Sequence, residues 1–203
     1  MTAVKICGVT SVEDAQLCVE AGADAIGLNF WAGSPRCVSS DVARAIRAAL
    51  PPHVLCVGVF VDADHDELLR VKREVGLGCL QLHGDESAEL VTRLLPHAYK
   101  AIRVRAESVH DDVARYPGEH VLLDAYVPGA HGGTGARFDW HLAAGFVTTR
   151  KITLAGGLHP DNVIEAIHSV RPFCVDVASG VELTPRRKDP ARVRSFVSRA
   201  KNA

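Results

Sequence analysis

Apolar residues in this chain gather in short runs, separated by longer amphipathic stretches. The runs "VKIC", "AIGLNF", "VLCVGVF", "CLQLH", "KAIRV", "HVLLDA", "KITLAGG" and "FCVDVASG" are rich in Val, Ile and Leu. They recur every roughly 25 residues, room for one strand, one helix and two loops. Seven of the intervening stretches are long enough for a helix, and an eighth helical stretch closes the chain. Runs apolar on both faces that alternate with helices predict a parallel sheet. Thr10 with Glu13 reads as a capping box opening the first helix, with Val12, Ala15 and Val19 on its apolar face and Gly22 beyond its end. Asp189–Pro190 reads as the N-cap and first position of the last helix, whose arginines form a solvated face. Eight strand–helix units in this length predict a (β/α)8 TIM barrel, α/β in class, occupying residues 1–203 as one domain. An open doubly wound sheet is the competitor, but it has fewer strands as a rule and a GxGxxG turn after the first, which is missing here.

Composition narrows the partners. The chain has 203 residues, 47% hydrophobic and 23% charged, with a net charge of -1. That suits a sizeable apolar core and offers no basic stripe for nucleic acid. No apolar run approaches the ~18 residues that span a bilayer, and no charged segment leads into an apolar signal region, so the expected location is the cytoplasm and no membrane partner is expected. The six cysteines stand singly, with no CxxC pair to suggest a metal site or a disulfide framework.

Unusual residues fall where the predicted strands end, the place where barrels of this class carry their chemistry. Cys7 ends the first run, His83 the fourth and Asp124 the sixth. Asp124 shares a strand face with Leu122; if that face is inward, it is a partly desolvated acid suited to giving a proton. Cys7 shares a face with Lys5, whose charge favours the thiolate, although the spacing fits a buried structural thiol equally well. The turns "AGGLHP" and "ASGVE", containing Gly156, Gly157, Ser179 and Gly180, follow the last two strands, the usual place for a phosphate. Arg36 offers a planar fork for a carboxylate or phosphate, or else lies on the surface. His83 either orients a substrate or bonds a neighbouring backbone group, and Asp176 is as readily structural as catalytic. The loop "GAHGGTGARFDW", with Gly132, Gly133 and Gly135, reads as a mobile cover or a substrate-contacting loop, or else as plain flexible chain.

These motifs together resemble one family. "KICGVT", "GADAIGLNF" with "SPR", "VGVFV", "LQLHGDE", "KAIRV", "LLDA" with "GGTGARFDW", "LAGGLHPDNV" and "VDVASGVE" are similar, in order from Lys5 to about Phe196, to phosphoribosylanthranilate isomerase of tryptophan biosynthesis. The resemblance implies a barrel without a cofactor, acting on a small phosphorylated substrate as a monomer or homodimer. It implies the Amadori rearrangement of N-(5-phosphoribosyl)anthranilate to 1-(2-carboxyphenylamino)-1-deoxyribulose 5-phosphate. Cys7 falls on the family's general base, Asp124 on its general acid, Arg36 on the arginine associated with the anthranilate carboxylate. Gly156, Gly157, Ser179 and Gly180 fall on its phosphate cup. Two departures stand out: Gly33 before "SPR", where lysine or another polar residue is common, and Ala178 where serine is common. Two rival readings remain: the related isomerase of histidine biosynthesis, which places an aspartate where Cys7 stands, and a barrel that binds a phosphometabolite without turning it over.

Overall fold

Val, Ile and Leu suit a strand buried on both faces, and each apolar run is such a strand. The computed structural model describes residues 1–105, 108–125 and 139–203. Its strands are β1 (Ala3–Cys7), β2 (Ala25–Asn29), β3 (Leu55–Phe60), β4 (Cys79–Leu82), β5 (Ala98–Val104), β6 (His120–Ala125), β7 (Lys151–Leu154) and β8 (Cys174–Val177). All pair in parallel in sequence order, and β8 returns to β1 through Val4–Val175 and Lys5–Asp176, closing the barrel. Outward residues such as Val4, Ile6, Ile26 and Leu28 are buried beneath the helices. Inward residues form a separate small cluster, including Val57, Tyr99, Ala101 and Leu122. Polar side chains, among them Lys5, Gln81, Thr153 and Asp176, are buried as well.

The helices are α1 (Val12–Glu20), α2 (Ser40–Ala49), α3 (His65–Val75), α4 (Ala88–Leu94), α5 (Val109–Arg115), α6 (His141–Ala144), α7 (Val163–Val170) and α8 (Pro190–Lys201). The cap of α1 corrects the expectation from sequence. Ser11, not Thr10, accepts from the Asp14 N–H, because the Thr10 hydroxyl donates instead to the Arg186 carbonyl at 2.8 Å. Asp189 caps α8 as expected, accepting from the N–H groups of Ala191 and Arg192. α6 is a single turn; Gly145 and the β-branched Val147, Thr148 and Thr149 follow it and weaken a longer helix.

One element had no signal in the sequence. After a 3-10 turn at Ser179–Val181, a hairpin of β9 (Glu182–Thr184) and β10 (Arg187–Lys188) folds over the edge of the barrel mouth. Arg186 donates to the carbonyls of Pro35 and Cys37 at 3.0 and 3.1 Å. Lys188, wholly buried, donates to the carbonyls of Cys7 and Ala178 at 2.7 and 3.2 Å and pairs with Glu182 at 3.0 Å. The hairpin therefore ties together the loops that follow β1, β2 and β8.

Candidate active site

The alternation of β1 turns both Lys5 and Cys7 into the barrel. Gly27 on β2 leaves room for them: a β-carbon there would stand 2.7 Å from Cys7 Sγ and 3.1 Å from Lys5 Nζ. Lys5 is buried and paired with Asp176 at 2.8 Å. Burial opposes its charge, but the charge and hydrogen bond of Asp176 lead the opposing effects, and the ammonium stays well above the ordinary lysine range. Lys5 favours the thiolate form of Cys7 but does not prevail. Burial pushes the Cys7 thiol up, and the opposing pull of Lys5 is the smaller effect, so the thiol of the free protein titrates above its ordinary value.

Across the mouth, Asp124 ends β6 on the same face as Leu122 and is 5% exposed. Its Oδ1 accepts from the Ala125 N–H at 2.9 Å, while Oδ2 lies 3.3 Å from His83 Nε2. His83, beyond the end of β4, is buried with its Nδ1 against Gln81 Nε2 at 2.9 Å. It bonds a side chain, not the backbone group that the sequence had left as an alternative.

Arg36 lies in the loop after β2 and is not a free surface residue. Its Nε and Nη2 donate to the two carboxylate oxygens of Glu182 at 2.9 and 2.7 Å, a bidentate pair. Burial pushes the Glu182 carboxyl up, but Arg36 and Lys188 overcome that and hold it below the ordinary carboxylate value. Nη1 is not engaged in this pair. The stem of Arg36 packs on Gly8, and the ring of Trp31 takes the space a side chain at Gly33 would need. The Gly33 departure is thus a packing complement of Trp31.

Gly156 and Gly157 follow β7 with φ of +85° and +63°, a region that favours glycine. Buried Asn162 holds this turn, accepting from the His159 N–H at 2.8 Å and donating to the Gly157 carbonyl at 2.9 Å. Gly180 packs so closely on the Leu158 carbonyl that no β-carbon fits, which joins the turns after β7 and β8 into one cup.

Every site residue expected from sequence (Cys7, Arg36, His83, Asp124, Gly156, Gly157, Ser179 and Gly180) lines one cavity at the carboxyl ends of the strands. Asp176 lines it too, as Lys5's partner. The glycine loop with Gly132, Gly133 and Gly135 lies outside the described residues. Sequence reasoning missed Glu182, Lys188, Gln81 and Tyr99. Glu182 stood in plain view in "ASGVE", but nothing local paired it with Arg36, 146 residues away. Among the described residues no group of three or more His, Cys, Asp or Glu is disposed to hold a metal ion, and no helix is long and apolar enough to cross a membrane.

A closed parallel barrel with an acid, a thiol and a glycine cup gathered on one cavity at its strand ends defines the class: a (β/α)8-barrel enzyme. Three comparisons narrow the class. The family model described as N-(5'phosphoribosyl)anthranilate (PRA) isomerase matches residues 4–199. N-(5'-phosphoribosyl)anthranilate isomerase of Citrifermentans bemidjiense is 48% identical over 99% of this chain and 98% of its own. The crystal structure of phosphoribosyl anthranilate isomerase from Thermotoga maritima superposes with a TM-score of 0.91 at 41% identity, covering 100% of both chains. Another, solved in complex with reduced 1-(o-carboxyphenylamino)-1-deoxyribulose 5-phosphate, gives 0.88 at 39% identity, again over 100% of both. The chain belongs to the N-(5'-phosphoribosyl)anthranilate isomerase family of tryptophan biosynthesis.

Proposed function

We propose that this chain isomerises N-(5-phosphoribosyl)anthranilate to 1-(2-carboxyphenylamino)-1-deoxyribulose 5-phosphate, with Asp124 as general acid and Cys7 as general base. The observation that carries the reading is the convergence of Cys7, Asp124 and Arg36 on one cavity beside the glycine cup. Asp124 gives its proton to the ribose ring oxygen. The C1–O bond breaks as the anthranilate nitrogen forms a C=N bond, leaving an open-chain iminium. A thiol held above its ordinary value keeps its proton, and the charge of Lys5 alone does not outweigh burial. The iminium adds a second positive charge to that of Lys5. Once the ring has opened, Cys7 releases its S–H proton to solvent, and the thiolate so formed takes the C2 proton. Loss of that proton gives an enolamine, which tautomerises to the ketose.

The free Nη1 of Arg36 faces the anthranilate carboxylate, and Gly156, Gly157, Ser179 and Gly180 hold the phosphate with His83 beside the sugar. The phosphate grip supplies binding energy remote from the reacting carbons and so positions them. The reaction draws on no cofactor, and its working place is the cytoplasm, with residues 1–203 acting as one catalytic unit, monomeric or homodimeric. The test generates phosphoribosylanthranilate in situ and follows product. Wild type turns over, while Cys7→Ser and Asp124→Asn each lose about 10²–10⁴-fold in kcat, the worth of one proton-transfer group. Wild-type activity no greater than that of either variant identifies a binder instead.

A further inference from the structure

Beneath the acid, Tyr99, Gln81 and His83 form a hydrogen-bonded line, and the proposed chemistry gives Tyr99 and Gln81 no part. Tyr99 on β5 and Gln81 on β4 both point into the barrel and are buried, at 3% and 1% exposure. The Tyr99 hydroxyl donates to Gln81 Oε1 at 2.9 Å, and Gln81 Nε2 lies 2.9 Å from His83 Nδ1. Burial pushes the Tyr99 phenol well up, so it keeps its proton and stays a donor. The Gln81 amide presents its oxygen to the Tyr99 hydroxyl and its nitrogen to His83. An N–H directed at Nδ1 requires a lone pair there, and the neutral ring then carries its proton on Nε2. That nitrogen is buried, makes no hydrogen bond among the described residues and lies 3.3 Å from Asp124 Oδ2.

We propose that Tyr99 and Gln81 are positioning residues that hold His83 as the neutral Nε2–H tautomer, a donor reserved for the Asp124 carboxylate that forms when the ring oxygen takes its proton. The proposal rests on the reading of Asp124 as the acid. The chemistry calls for a neutral donor at this place. An imidazolium beside Asp124 would favour the carboxylate before the reaction began and strip the acid of its proton. A ring with its lone pair on Nε2 would offer the new carboxylate no hydrogen at all. The occupied Nδ1 disfavours both states, since each needs a proton where Gln81 already places one. Asp124 Oδ1 is satisfied by the Ala125 N–H, which leaves Oδ2 as the oxygen whose charge His83 meets.

The test reads the tautomer directly, apart from turnover. Two-bond 1H–15N correlation spectra of 15N-histidine-labelled protein report which ring nitrogen is protonated, with the His83 resonances identified by their loss in His83→Asn. Wild type is expected to show His83 with Nε2 protonated and Nδ1 bare. Gln81→Met, close in volume, and Tyr99→Phe, which removes only the hydroxyl, are expected to give a mixed tautomer population. Both should lower kcat by about three- to tenfold, the weight of an ordinary hydrogen bond, with KM unchanged. A bare Nε2 in wild type overturns the proposal, as does a Tyr99→Phe protein with the wild-type tautomer and kcat. Should Gln81→Met fail to fold, the wild-type spectrum and Tyr99→Phe still decide. A locked tautomer in a wild-type protein that does not isomerise would count against the proposed function and against the role of the lock, but not against the hydrogen-bonded line itself.

Discussion

Cys7 and Lys5 stand two residues apart on β1, and the period of the strand puts both on one face, a relation visible in "VKIC" itself; the closed barrel makes that face the inner one. The direction of the thiol's titration was not visible there. It depends on how much protein surrounds the sulfur, and burial outweighs the nearby ammonium. Alkylation of Cys7 is therefore expected to be slow at neutral pH, with a midpoint above that of an ordinary thiol. Lys5→Met alone leaves Asp176 buried without its partner, at a cost of about 3–5 kcal/mol. The cleaner variant is Lys5→Met with Asp176→Leu. Because the pull of Lys5 on the thiol exceeds the opposing push of Asp176, the midpoint should rise further in the double variant. Iodoacetamide labelling across pH, read by mass spectrometry of the Cys7 peptide, measures it; an unmoved midpoint removes Lys5 from the account of this thiol.

The elements divide by what their signals are made of. Strands and helices followed from apolar period and from caps such as Asp189, because those signals lie within a few residues of each other. The β9–β10 hairpin did not, since "ELTPRRK" is polar and its anchors are the carbonyls of Pro35, Cys37, Cys7 and Ala178, distant in sequence. The same hairpin presents Arg36 to the cavity by holding two of its donors through Glu182. Glu182→Gln keeps an acceptor for Lys188 but removes the charge that fixes the fork. We expect KM for phosphoribosylanthranilate to rise about tenfold, near the worth of one charge-assisted hydrogen bond, with kcat changed far less. Steady-state kinetics on both proteins decide it, and a loss confined to kcat would place Glu182 with the proton-transfer groups instead.

At the scale of the whole molecule, closure of the sheet buries groups that each strand would expose alone. His120 on β6 stacks on Tyr99 with ring centroids 4.1 Å apart, and its Nε2 lies 2.7 Å from the Thr153 hydroxyl. Burial first, then the charges of Lys5 and Lys151, push its pKa down to about 4. Unfolded, the same ring takes a proton near its ordinary value of about 6.5. Between those values the unfolded chain binds more protons than the folded one, so this group makes stability fall as pH drops from about 6.5 to about 4. Urea unfolding at a series of pH values should show a shallower fall for His120→Gln than for wild type, even though the variant starts less stable. Parallel curves would refute the assignment. The sequence by itself determined the eight-fold strand–helix order, which residues share a strand face, and the placing of a thiol, an acid and two glycine turns at strand ends, because period, caps and turns are written in neighbouring residues. Only the tertiary structure decided that Arg36 is gripped by Glu182, that Lys188 clamps the mouth, that His83 stands 3.3 Å from Asp124, and that the Cys7 thiol is pushed up rather than down. Those facts depend on distance and desolvation, and closing the barrel sets both by bringing together residues as far apart in the chain as Lys5 and Asp176.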